Sequence, residues 1–462
     1  MHVVASVALV AGYIILLAVV AVRARAAREY AEFSLAKRSL PLALIFGSLC
    51  AAYVGPAFSM GFVGKGFQSG LLFLLVGLAY SVQNILVGLF IAPRLRSLSD
   101  CHTLGDAIGR KYNRTCQILA GVISVGLCMG FAAVMAKAAG VVVQDVFGIP
   151  NWIAIILIAV LTTLYTSFGG LQASVMTDAV QFALFTILMP AILLFSLFVP
   201  LHDSAAALTY ELKIATEAGF QSTSWVQIFG LVAAFLLGET LIPPYANRAL
   251  ATQTTSASRN SFILAGLFSI VWFTVMISLG IVARVIVPAN TGEDNVLLLM
   301  VKTIMPTEGY AMLLVALLSV IISSLDSLLN AGAVTFTQDI VKPFVRVSDK
   351  ASLICGRLAT VGIAVVAAAA AMAVPRIIKG LLMCYTVWAP AMLPTAVLGL
   401  WLKRPRPLAG ILSMVTGAAA ALLLQFVWSD TLEVPAILLA LAAAIAAYLI
   451  GHLLSRFFME PR

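Results

Sequence analysis

Charge is scarce in this sequence. Asp, Glu, Lys and Arg make up 10% of its 462 residues, against about a quarter in soluble domains, so a water-soluble globule is excluded. The net charge of +9 does not point to nucleic acid, because the basic residues form no cluster on a soluble face. The six cysteines show no CxxC spacing and fall inside apolar runs or next to basic loops. Neither a disulfide framework nor a metal site follows from them. Histidine is equally sparse: His2, His102, His202 and His452 all lie outside apolar runs or at their ends. There is no HxxxH, and no GxSxG with a partner, so the constellation a membrane enzyme needs is missing. Connecting segments are short, none longer than about 25 residues, and no soluble catalytic or signalling domain is expected.

Apolar residues, by contrast, are abundant, at 62% with a mean hydropathy of +1.07. A bilayer core of about 30 Å takes roughly 20 apolar residues per helix. Runs of that length predict thirteen spans: 3–22, 43–64, 71–93, 117–144, 151–168, 172–199, 225–246, 260–286, 308–336, 353–374, 380–402, 407–428 and 435–457. The expected class is therefore an all-α polytopic membrane protein embedded in a lipid bilayer. The first run is not a cleavable signal, because Arg23, Arg25 and Arg28 follow it rather than precede it. Thirteen spans with the N-terminus outside put 21 of the 28 Lys and Arg in inner segments, 6 in outer ones and Lys137 within a span. That asymmetry is the one expected of a bacterial inner-membrane protein with a cytoplasmic C-terminus. Arg248 falls among the inner-loop residues in this count, at the end of the seventh span.

Two spans break their own rules. The second, GSLCAAYVGPAFSMGFVGKG, has Gly55-Pro56 near its middle, and the seventh, GLVAAFLLGETLIPPYANR, runs from Gly238 through Glu239 to Pro243-Pro244. Proline removes an amide donor and clashes with the preceding turn. The freed backbone groups are tolerated in a bilayer only where protein or a cavity satisfies them. Each break alone is equally consistent with a simple kink. Together, five spans apart, they fit two five-helix repeats of opposite orientation, over 43–199 and 225–402, with 3–22 added before and 407–457 after. That is the pattern of a secondary transporter with a midplane site.

Four ionisable residues lie inside spans: Lys137, Asp178, Glu239 and Asp326. Charges there are costly and are functional candidates by default. Asp326 belongs to the richest stretch, LLSVIISSLDSLLNAGAVTFTQD, where Ser323, Asp326 and Ser327 share a helical face beside Ser324. Hydroxyls and a carboxylate in so short a stretch form a hard oxygen-donor set suited to a small cation such as sodium. A substrate pocket between the breaks would draw on Tyr53, Ala57 and Phe58, on Gln83, on Lys137, and on Glu239 and Thr240. Lys137 and Glu239 could clamp the two ends of a zwitterion, or pair with each other.

At these residues the chain resembles the sodium:solute symporter family, through FGGLQASVMTDAVQ (168–181), SSLDSLLNA (323–331) and PPYANRALA (243–251). The resemblance runs from about residue 30 to 405. It implies the leucine-transporter-like inverted-repeat architecture with an extra N-terminal helix. Matched residue by residue, it implies a first sodium on the carbonyls of Ala51, Val54 and Val320 and the hydroxyls of Ser323 and Ser324. Some members bind a second sodium, for which the matching positions are Asp178, Ser323, Asp326 and Ser327. Related transporters of acidic sugars carry a cation on the helix of Lys137. AAYVG (51–55) and Asp326 are similar to the choline-transporter branch, but Tyr53 and Ile242 stand where that branch has tryptophans. A quaternary ammonium wants an aromatic cage, and these departures argue against choline itself.

The implied activity is sodium-driven import of a small organic solute, such as an amino acid or carboxylate, by alternating access. The competing readings are proton coupling through Glu239 or Asp326, and a transporter-like sensor. Serine hydroxyls neither take up nor release a proton at physiological pH, which weighs against the first. A sensor would need an output domain, and only five residues follow position 457.

Overall fold

A computed structural model describes residues 2–23, 27–198, 205–426 and 435–458. Arg25 and Arg462 of the topology count, and His202, lie outside them. Within the described residues every extended element is helical, as the composition requires. A bilayer offers no water to unpaired backbone groups, and a helix satisfies its own. Nine helices there are long and apolar enough to cross a membrane, or eleven if each of two bent pairs is taken as one span. That count does not confirm the expected thirteen. Part of the difference lies in Asn151–Phe198, a 48-residue helix interrupted at Gly170, with φ 59 and ψ −154. This is the point that separates the expected spans 151–168 and 172–199. Gly170 is required there twice over, by its positive φ and because a Cβ would meet the Phe33 backbone at 2.6 Å.

Both expected breaks are present. The Leu42–Tyr53 helix ends before Pro56, and Pro56–Ser69 leaves at 73° to it. The Trp225–Leu237 helix ends in a turn, after which Pro243–Ala251 restarts. Leu241 in that turn has φ 53, a left-handed conformation that costs an ordinary residue about 1–2 kcal/mol. Each break is braced by an indole: Trp272 Nε1 donates to the Phe58 carbonyl and Trp388 Nε1 to the Thr240 carbonyl, both at 3.1 Å. A backbone bridge between Leu40 and Thr252 ties the segment before the first broken helix to the end of the second.

Glycines bring one group of helices together backbone to backbone. A Cβ on Gly266 would meet the Ser81 carbonyl at 2.9 Å, and one on Gly66 the Ile277 carbonyl at 2.6 Å. Leu72–Arg96, Thr255–Ile286 and the second half of the first broken helix (Met60–Ser69) thus pack as a tight unit, in the small-residue manner of membrane helices. Thr307–Val341 packs instead against Arg114–Phe147 and Asn151–Phe198, and its most apolar stretch is 94% buried. A span this enclosed faces protein on all sides. It is the helix that carries the serine–aspartate cluster.

Candidate functional site

The first break shows why its carbonyls are available. Pro56 has no N–H to offer the Ala52 carbonyl. Among the described residues no backbone bond runs from Gly55 to the Ala51 carbonyl either. The Val54 carbonyl accepts from Ser59 Oγ at 2.8 Å. Across from it, Ser324 Oγ donates to the Val320 carbonyl at 3.1 Å. The same hydroxyl lies so close to the break that a Cβ on Gly55 would meet it at 3.1 Å. Ser324 of the expected sodium set therefore lies against the first break, with its hydroxyl on the Val320 carbonyl. Ser323 turns the other way and donates to Asp178 Oδ1 at 2.5 Å.

Asp178, Ser323, Asp326 and Ser327 also come together, but around a residue the sequence reading left in a loop. Arg248 is 0% exposed, and its Nη2 donates to Asp178 Oδ2 at 2.7 Å and to Ser327 Oγ at 2.5 Å. Its Nε donates to Ser48 Oγ at 2.7 Å and its Nη1 to the Pro244 carbonyl at 3.1 Å; Ser48 in turn donates to Asp178. Position in the chain placed Arg248 past the end of a span. The break shortens that span, so the restarted helix is still inside the protein at residue 248. Asp178 is thus neutralised by a guanidinium. Asp326 is not. Its oxygens accept from Tyr165 at 2.7 Å, Ser174 at 3.0 Å and Ser327 at 3.1 Å, with Thr177 at 3.5 Å.

Between the breaks lies a cavity of about 20 Å³, lined among others by Gly55, Ala57, Phe58, Glu239, Tyr245 and Ser324. That is room for about one water, so a solute enters only after the breaks move relative to the scaffold. Ala57, Phe58 and Glu239 of the expected pocket line it. Tyr53 stands behind them, its ring edge-on to Tyr245 at 4.3 Å. Gln83 and Thr240 instead brace the second break, with the amide of one 2.7 Å from the hydroxyl of the other.

Lys137 departs from the expectation of a clamp or a pair with Glu239. It is half-buried and absent from the cavity lining. Its charge acts on Asp294, in the segment before Val296, where burial first and Glu293 second raise the carboxyl above its usual range, while Arg376 and Lys137 oppose them. Glu293 beside it pairs with Lys65 at 2.7 Å and Arg376 at 3.8 Å. Lys137→Ala is accordingly expected to fold, lose about 1 kcal/mol or less, and keep its response to sodium. A collapsed protein in a thermal melt would show that the lysine compensates a deeper charge.

A helical membrane protein in which two broken spans meet a hydroxyl-rich central helix belongs to the secondary transporters. Residues 33–417 match the model of the sodium:solute symporter family, and the chain belongs to that family. Relatives include a sodium/glucose cotransporter of Vibrio parahaemolyticus, 24% identical, covering 86% of this chain and 79% of that one. The osmoregulated proline transporter OpuE of Bacillus subtilis is 25% identical, over 79% and 77%. A high-affinity choline transporter of Caenorhabditis elegans is 24% identical, over 75% and 63%. Among solved structures, the substrate-bound outward-open state of a Na+-coupled sialic acid symporter superposes with a TM-score of 0.85 at 16% identity, covering 99% of both chains. The likeness extends the same fold over the whole chain. The protein is a sodium-coupled solute transporter of the membrane and not an enzyme.

Proposed function

We propose that the chain imports a small organic solute together with sodium by alternating access, from a site between the two breaks. The first sodium is held by the carbonyls of Ala51, Val54 and Val320 and the hydroxyls of Ser323 and Ser324, with Ser323 giving up its bond to Asp178 to face the ion. The observation that carries this reading is the placement of Ser324, on the Val320 carbonyl and against Gly55, where the Ala51 carbonyl has no backbone partner among the described residues. Five hard oxygens suit sodium and give a softer ion no purchase. A sodium there joins the broken helix to the central helix and fixes the half of the solute site that Ala57 and Phe58 supply.

A second sodium is assigned to Asp326 with Ser327, Ser323 and Asp178, because Asp326 is the carboxylate of that cluster without a bonded cationic side chain. The repeats run over 43–199 and 225–402, in a bacterial inner membrane with the N-terminus outside. Coupling is reciprocal: sodium tightens the solute by the factor by which solute tightens sodium.

Ser323→Ala and Ser324→Ala test the first site. Sodium should raise the melting temperature of the purified wild type saturably, and each variant should need several-fold more sodium for half of that rise. Unchanged sodium dependence in both variants would remove the assignment. Stabilisation by acidification in place of sodium would favour proton coupling through Glu239 or Asp326.

A further inference from the structure

Glu239 sits in the second break, 4% exposed, and three phenols converge on it. Tyr80 and Tyr245 each donate to Oε2 at 2.5 Å, and Tyr385 donates to Oε1 at 2.7 Å. Three O–H donors are the setting of an ionised carboxylate, which can only accept. They come from three separate helices, and among the described residues the bonds to the Glu239 carboxylate come from tyrosines alone. Neither cation of this region serves it: Arg248 is engaged by Asp178, and Lys137 acts at Asp294. A carboxylate offers about four acceptor positions, so one remains.

Glu239 lines the central cavity, where it is the one Asp, Glu, Lys, Arg or His among the lining residues. The rest of that lining includes the rings of Phe58, Phe131 and Tyr245. A second observation marks the same place. Tyr53 is 0% exposed, its ring lies on Tyr80 and Tyr245, and its hydroxyl has no partner among the described residues. A buried hydroxyl without a partner is unusual, and here it is a neighbour of Glu239's own tyrosines.

We infer that the solute carries a protonated primary or secondary amine, which binds the free acceptor position of Glu239 among these aromatic rings. The chemistry selects the class. An ammonium N–H makes a charge-assisted bond to the carboxylate and takes cation–π attraction from the surrounding faces. A quaternary ammonium has no N–H for the carboxylate. A neutral sugar would leave the charge uncompensated, and an anion would face it directly. The inference rests on the proposed solute site between the breaks and adds to it the charge of the solute.

The test is a thermal-shift and competition panel on the full-length purified protein, with and without sodium. Its probes are ethanolamine and putrescine as amines, proline as a secondary-amine zwitterion, glucose as a neutral solute and lactate as an anion. At least one amine-bearing probe should stabilise the protein further in sodium, and glucose and lactate should not. Glu239→Gln, which keeps shape and one acceptor, should weaken that amine by about tenfold or more while the sodium shift persists. Tyr385→Phe, which loosens the clasp without removing the charge, should weaken it less. Stabilisation by glucose or lactate, no response to any amine, or full amine binding in Glu239→Gln overturns the inference. Loss of the sodium shift in the wild type overturns the proposed sodium site instead, so the two failures are distinguishable.

Discussion

Replacing Arg248 by alanine should cost the protein about 3–5 kcal/mol, the range found when one partner of a buried ion pair is removed. The guanidinium and the Asp178 carboxylate are 1% and 0% exposed, and the arginine also serves Ser48, Ser327 and the Pro244 carbonyl. Without it, Asp178 keeps only the bonds from Ser48 and Ser323. The double variant Asp178→Ala/Arg248→Ala should be more stable than Arg248→Ala alone, because the orphaned charge goes with its partner. A thermal melt of the two singles and the double reads this coupling directly. Additive losses would mean that the pair does not act as a unit. Sodium offers a further reading of the same variant: the vacated oxygens of Asp178, Ser48 and Ser327 should make Arg248→Ala more dependent on sodium for stability than the wild type.

The second large effect concerns close approach. Gly280 lies where a Cβ would meet the Val63 carbonyl at 2.2 Å and the Phe67 amide at 2.7 Å. These are backbone atoms of the second half of the first broken helix and cannot swing aside as a side chain could. Gly280→Leu must therefore separate that half-helix from Thr255–Ile286, at a cost at or above the 1–3 kcal/mol typical of overpacking. Gly126 provides the control, since a Cβ there meets nothing within 4 Å. Gly126→Leu should melt near the wild type, and Gly280→Leu well below it and without transport. Equal behaviour of the two would contradict the tight packing between these helices.

The features legible in the sequence were those with a local chemical cause. Proline's missing donor marks Pro56 and Pro243-Pro244, and the helices break there. Hydroxyl and carboxylate spacing marks Ser323 to Ser327, and that face does point into the protein. Arg248 was not legible. Its neighbours in sequence read as the end of a span, and only the restarted Pro243–Ala251 helix keeps it buried. The clasp on Glu239 was hidden for another reason: Tyr80, Tyr245 and Tyr385 sit on three helices far apart in the chain, and no local pattern links them. Lys137 misled because depth in an apolar run says nothing about which way a long side chain leaves it. The Ala205–Ser222 helix, with Lys213 and Glu217 paired along it, is too polar to register as a span in the sequence.

Sodium-coupled movement of a solute is the central claim, and influx of radioactive sodium into proteoliposomes tests it most directly. Ethanolamine, putrescine, proline, glucose and lactate are added in turn, and sodium and labelled solute are counted on the same vesicles. The account predicts that one solute evokes saturable sodium influx, that its own accumulation stops when potassium replaces sodium, and that more than one sodium moves per solute. It also predicts that Ser324→Ala shifts the sodium dependence of both fluxes together. Solute accumulation that proceeds unchanged in potassium and follows an imposed proton gradient would contradict it.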